Sequence, residues 1–129
     1  MATFLERSLP FKSDLIEYWS PPSDTLRRGN GDCEDLAILF LTLMREETGV
    51  EGTLIIMHYP GPGEGILHAE AEFERTRFFA LRPPRAGTLV ARIPLSLALR
   101  ITEESRPRGV TALRYSEKTL YYDDKPLPK

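Results

Sequence analysis

The stretch RRGNGDCEDLAILFLTLMRE, Arg27 to Glu46, sets the chain's only cysteine at the polar head of an apolar run. A thiolate is a strong nucleophile, and the first turn of a helix favours it because unpaired N–H groups and the helix dipole stabilise an anion. Asp32 can cap such a helix and Asp35, three residues later, can answer it as a capping box. Cys33 then falls in the first turn, where its pKa is expected to drop from about 8.5. Asp32, Glu34 and Asp35 oppose that drop unless their charges point away or hold a cation. A nucleophilic cysteine also needs a base, and the chain has two histidines, His58 and His68. His68 is the better candidate, because it lies on a period-two stretch that can pack on the helix and follows a glycine-rich loop that gives access. His58 reads as a strand-end residue. The plain alternative is a core cysteine and a core histidine that never meet.

The elements that must position these groups are legible in outline. SDLIEYW (13–19) reads as a short helix stopped by Pro21 and Pro22, and SDTLRRG as a second turn or short helix ending at Gly29. The helix that opens at Cys33 runs to about Glu47, with Gly49 as its stop. Its apolar residues cover almost every face, which places it in the centre of the protein. The periodicity then changes. GTLIIMHY (52–59) and ILHAEAEFE (66–74) read as strands around a PGPGEG loop, with His68, Glu70 and Glu72 on one face and Ala69, Ala71 and Phe73 on the other. RFFALR (77–82) is a further strand after a tight turn at Glu74 to Arg77, and PPRAG breaks it. TLVARIPLSLALRIT holds a strand and a short helix, and TALRYSEKTLYYDD a hairpin about Ser116 to Lys118. Helices followed by a mostly antiparallel sheet predict an α+β fold in one domain, residues 1–129.

Composition narrows the function classes. At 129 residues the chain can bury one core without disulfides or a structural metal. Its 41% hydrophobic and 28% charged residues are those of a globular protein. One cysteine makes no internal disulfide, MATFLERSLPFKSD lacks a leader's apolar stretch, and no run reaches the ~20 apolar residues of a membrane span. These features predict a cytoplasmic chain with no membrane partner. The formal charge of -2 is uneven: residues 1–74 carry 14 acidic and 5 basic side chains, whereas 75–114 carry 9 arginines against Glu103 and Glu104. The two halves can complement each other across one fold, or the arginines can face an acidic partner. With no lysines and few aromatics between the arginines in that stretch, a nucleic-acid groove is not indicated.

The run from Trp19, WSPPSDTLRRGNGDCEDLAILFLTLMREETGV, with HAEAEF from His68, resembles the transglutaminase-like superfamily, and within it the bacterial transglutaminase-like cysteine proteinases. Trp19, Pro22, Asp24, Thr25, Leu26 and the run Gly31, Asp32, Cys33, Glu34, Asp35 match that family's pattern in kind and spacing. His68 and Ala69 match its His-Ala pair. The resemblance covers about residues 15–87 and implies a papain-like core, with the cysteine helix packed on an antiparallel sheet that bears the histidine. It implies a cysteine peptidase, a hydrolase or acyltransferase acting on an amide of a protein or peptide through a thioester, with Cys33 as thiol nucleophile and His68 moving the proton. Trp19 would line the cleft, with a core aromatic as the alternative. No organic cofactor is implied. In some members the acidic residues flanking the cysteine bind calcium, and Asp32 and Glu34 stand at those positions, although N-capping and solvent exposure explain them without metal. A metal site of Cys33, Asp35 and His68 lacks the ligand spacing of known zinc motifs.

The chain departs from the family at the third catalytic position. An aspartate is usual on the strand after the histidine, and Arg82 stands there in FFALRPPRAG. An arginine cannot orient an imidazole and disfavours the imidazolium. Arg82 is therefore expected beside His68 or paired with a carboxylate such as Glu70. Glu70 is the expected substitute third residue, with Glu72, Asp123 and Asp124 as others. If none serves, the domain is a degenerate member of the fold that binds protein rather than cuts it.

Overall fold

The computed structural model describes residues 18–63, 65–81 and 86–129. Most of the helix expected over 13–19, and Arg82 with the break that follows it, lie outside the described residues.

Helix α1 (Pro22–Arg28) begins with proline at its first turn, where a missing N–H costs nothing, and ends at Gly29 in the left-handed region. Helix α2 (Cys33–Thr48) opens on the expected reciprocal capping box between Asp32 and Asp35 and stops at Gly49, whose φ of 78° suits glycine. Every residue from Cys33 to Leu41 is buried, and the helix emerges toward solvent only beyond that.

Strands β1 (Thr53–Tyr59), β2 (Ile66–Phe73), β3 (Thr76–Phe78) and β4 (Thr88–Pro94) form an antiparallel sheet in the order β3-β2-β1-β4. In the β1–β2 register Leu54 faces Ala71 and Ile56 faces Ala69. These four side chains join Leu36, Ala37, Phe40 and Leu41 of α2 in one buried cluster. The two alanines leave room for the helix against the strand, and each fully buried leucine or isoleucine stabilises the fold by about 1.5–3 kcal/mol. Ile55, His68 and Glu70 alternate with that set and are buried as well, so the middle of β2 is enclosed on both faces.

Helix α3 (Leu95–Ser105) follows β4 directly and packs on α2 and β1 through Leu95, Ala98 and Ile101. Arg106 at its end reaches Asp24 of α1 at 2.9 Å, fastening the two helices together. A second antiparallel sheet, β5 (Leu113–Ser116), β6 (Thr119–Tyr122) and β7 (Lys125–Pro126), completes an α+β arrangement. Three two-residue hairpin turns, Glu74-Arg75, Glu117-Lys118 and Asp123-Asp124, have positive φ at both residues, the twist that antiparallel neighbours require. No described helix is long and apolar enough to cross a membrane.

Candidate active site

Asp35 builds the approach to Cys33. Its buried carboxylate accepts the N–H of Ser20 at 2.9 Å through Oδ1 and the N–H of Asp32 at 3.1 Å through Oδ2, with the Arg28 guanidinium at 3.5 Å. The chain before α1 and the turn before α2 are thereby pinned to one side chain. Gly31 permits it, because a Cβ there would lie 2.8 Å from Cβ of Asp35. Such close approach is open only to glycine. Cys33 becomes the first residue of α2, as the capping pattern predicts.

The thiol sits against the histidine strand. The N–H of Ala69 donates to Cys33 Sγ at 3.4 Å, so the sulfur lies at the backbone link between His68 and its neighbour. The same sulfur donates to Glu34 Oε2 at 3.4 Å. Cys33 is 2% exposed and Glu34 0% exposed. The depressed pKa expected for a first-turn cysteine is not what this packing gives. Burial, and then the Glu34 carboxylate, push the thiol well above its usual value, outweighing the lowering by N–H donors of Ala69 and Glu34. The acidic neighbour, expected in solvent, is enclosed beside the sulfur and keeps it protonated.

His68 is 3% exposed, and its Nε2 lies 2.6 Å from the backbone carbonyl oxygen of Phe79. A carbonyl only accepts, so Nε2 carries the proton and Nδ1 is the basic nitrogen. Phe79 has a φ of 67°, and the kink it makes after β3 ends the pairing with β2 and turns its carbonyl to the imidazole. The kink is held from the helix side: the ring of Phe40 packs on those of Phe78 and Phe79, with centroids 4.7 and 5.6 Å apart. Burial lowers the His68 pKa from the usual 6.5, while the Phe79 carbonyl and the Glu70 charge oppose it. The ring is neutral at pH 7.

Glu70, two residues along the strand, brings Oε2 to 4.0 Å from His68 Nε2. That is beyond hydrogen-bond length, and with a neutral ring it is not an ion pair. The carboxylate is held by the Tyr59 hydroxyl, which donates to Oε2, and by Arg77 Nη1 at 2.8 Å from Oε1. Burial, then the bond to Glu70, raise the Tyr59 pKa, so its hydroxyl keeps its proton. Glu72 is engaged elsewhere, with Arg77 at 3.6 Å and Arg92 at 3.0 Å.

Of the other residues singled out, Trp19 is fully enclosed in the same core cluster as Cys33. Asp123 and Asp124 occupy an exposed turn of the second sheet, where Asp124 is 3.8 Å from Arg114. Arg82 lies outside the described residues, among which the arginine on Glu70 is Arg77. His58 is the penultimate residue of β1, near the strand end as expected, and is stacked on Tyr115 at 6.1 Å. Asp32, Glu34 and Asp35 bring carboxylate oxygens within 4.8 Å of one another. Calcium takes about 6–8 oxygens. Here both Asp35 oxygens accept protein N–H groups, Asp32 caps the helix and Glu34 faces the thiol, so each of the three carboxylates is engaged within the protein.

Three contributors were missed: Phe79, Tyr59 and Arg77. A tyrosine spaced to reach a strand carboxylate was a findable signal for the second, and the register that sets Arg77 opposite Glu72 was one for the third. Nothing in the sequence marks a carbonyl for its direction. An open polar cavity of about 390 Å³, lined by Ser20, Arg28, Asn30, Gly31, Asp32 and Asp35 among others, adjoins the start of α2. No family model matches the chain, and neither a curated protein nor a solved structure matches it.

Proposed function

We propose that the chain is a transglutaminase-like cysteine peptidase or amide acyltransferase with a papain-like core, in which Cys33 is the nucleophile and His68 the proton carrier. The observation that carries this reading is the 3.4 Å contact between Cys33 Sγ and the Ala69 N–H, which joins the first residue of the central helix to the histidine-bearing strand. The tautomer of His68 supports it as well, since the Phe79 carbonyl does what an acidic third residue does elsewhere: it holds Nε2–H and leaves Nδ1 basic.

In this reaction the amide must reach Sγ, whose neighbour Asp32 lines the cavity at the helix start, although neither the thiol nor the imidazole does. As Sγ attacks the carbonyl carbon, the thiol proton passes to His68 Nδ1, and the oxyanion forms near the N–H of Cys33. The imidazolium returns that proton to the departing amine as the C–N bond breaks. A thioester on Cys33 remains, and water or a second amine cleaves it to free the thiol. Because the thiol is 2% exposed and protonated, the resting state is closed, and the proton moves during attack rather than before it.

The enclosed thiol and its bond to Glu34 favour a second reading, a degenerate domain of this fold that binds peptides without cutting them. Two assays on the full chain separate the readings: release of peptides from casein, and incorporation of a fluorescent primary amine into casein glutamines. The enzyme reading expects one of the two, abolished by Cys33→Ser and reduced at least about a hundredfold by His68→Ala. Neither activity in the unmodified chain, at any pH from 6 to 9, leaves the binding module.

A further inference from the structure

Glu70 is a buried carboxylate 4.0 Å from the imidazole nitrogen that a catalytic carboxylate would grip, yet the Phe79 carbonyl occupies that nitrogen. The reason is visible in its other partners. The Tyr59 hydroxyl takes Oε2, the oxygen nearer His68, and Arg77 takes Oε1. Tyr59 is itself fixed, with its ring centroid 6.1 Å from that of His68 and with Gly87 so close that a Cβ there would lie 2.5 Å from the ring. Both carboxylate oxygens are thus drawn away from the imidazole, and part of the negative charge is offset by the guanidinium.

We propose that Tyr59 is a positioning residue that, with Arg77, holds the Glu70 carboxylate off Nε2 of His68 at the start of the reaction. The inference deepens the acyl-transfer reading and rests on it for its use, since a base must be unprotonated to accept the thiol proton. Among the described residues, several groups surround His68. Its own strand supplies Glu70, β1 supplies Tyr59, and the segment of β3 supplies Arg77 and the Phe79 carbonyl, while Cys33 and Glu34 of α2 adjoin through Ala69. Of these, Glu70 is the anion that can reach Nε2 by turning its side chain. Removing the phenol hydroxyl frees that oxygen to turn, and a charge-assisted bond to Nε2 then favours the imidazolium.

The measurement is the His68 pKa by proton–carbon NMR on histidine-labelled full-length protein, with His58 identified through His58→Gln. Tyr59→Phe is expected to raise it by about one unit or more, and Tyr59→Phe with Glu70→Gln to erase the rise. Arg77→Met, which changes a side chain 32% exposed, is expected to raise it by a smaller step and covers the case in which Tyr59→Phe does not fold. A merely structural tyrosine would leave the pKa unchanged or lower it, and would not couple to Glu70. An unchanged or lowered pKa in Tyr59→Phe, or a rise that survives Glu70→Gln, overturns the proposal; where only Arg77→Met folds, no rise in it does so. None of these readings depends on casein turnover, so loss of the enzyme reading and loss of this inference show up in different experiments.

Discussion

The backbone carbonyl of Phe79 lies 2.6 Å from Nε2 of His68, which gives the imidazole an acceptor that no side-chain substitution can remove directly. Only the path of the chain at Phe79, with its φ of 67°, sets its direction. A phenylalanine in this region is strained by about 1–3 kcal/mol, and the packing of Phe40 on its ring holds it there.

The first prediction is the tautomer. Long-range proton–nitrogen spectra at pH 8 should show His68 as the Nε2–H form. A dominant Nδ1–H pattern would mean that the carbonyl does not hold the ring in solution.

The second concerns the thiol. With its pKa raised by burial and by Glu34, Cys33 should be alkylated by iodoacetamide at pH 7 more slowly than a free cysteine peptide. The thiolate population at that pH falls about tenfold each time the pKa climbs by one, and the rate falls with it. Glu34→Gln removes the charge beside the sulfur and should speed the reaction, whereas urea-unfolded protein should react as the peptide does. Faster labelling of the native protein than of the peptide would show an ionised thiol and contradict the closed site.

The third is the pH dependence of stability. The His68 pKa is lowered in the folded state, so above pH 6.5 the ring is neutral in both states and stability is complete. As pH falls through 6.5 the unfolded chain takes up a proton first, and stability declines until the folded pKa is passed. Cys33 acts at the other end: above pH 9.0 the unfolded thiol ionises first and stability declines again. Urea titrations across pH 5 to 10 should show both limbs, the acid one flattened by His68→Gln and the alkaline one by Cys33→Ala. A slope unaltered by these substitutions would assign the limbs to other groups.

Much of the scaffold was legible because it rests on local rules. The Asp32–Asp35 box announced the start of α2, Gly49 its end, and the alternation in ILHAEAEF put His68 beside Glu70 on one face. The helix start was expected to meet the strand through the His68 side chain; Cys33 Sγ instead takes the Ala69 N–H, and Ala69 and Ala71, on the alternate face, join the α2 cluster. The state of the thiol was not legible, since it depends on whether Glu34 faces water or the interior, and flanking residue types leave both open. Nor could charge alone choose among the arginines for Glu70: Arg77 reaches it because the tight turn after β2 folds β3 back, with Phe78 opposite Ala71. The Phe79 carbonyl was beyond reach, as its direction belongs to a backbone dihedral rather than to a side chain.

The three hairpin turns bear on how freely this protein can change. Glu74-Arg75, Glu117-Lys118 and Asp123-Asp124 place charged, Cβ-bearing residues where glycine or asparagine is at ease, at a cost of about 1 kcal/mol for each such residue. The four in the second sheet belong to neither the Cys33 helix nor the His68 strand, so Asn-Gly pairs could replace them without touching the chemistry, whereas Glu74-Arg75 sets the register that brings Arg77 and Phe79 to the site. The fold therefore carries an unspent margin at its rim that can offset losses at its centre. Substitutions that reshape the enclosed site, and would otherwise unfold the chain, become accessible once that margin has been drawn on.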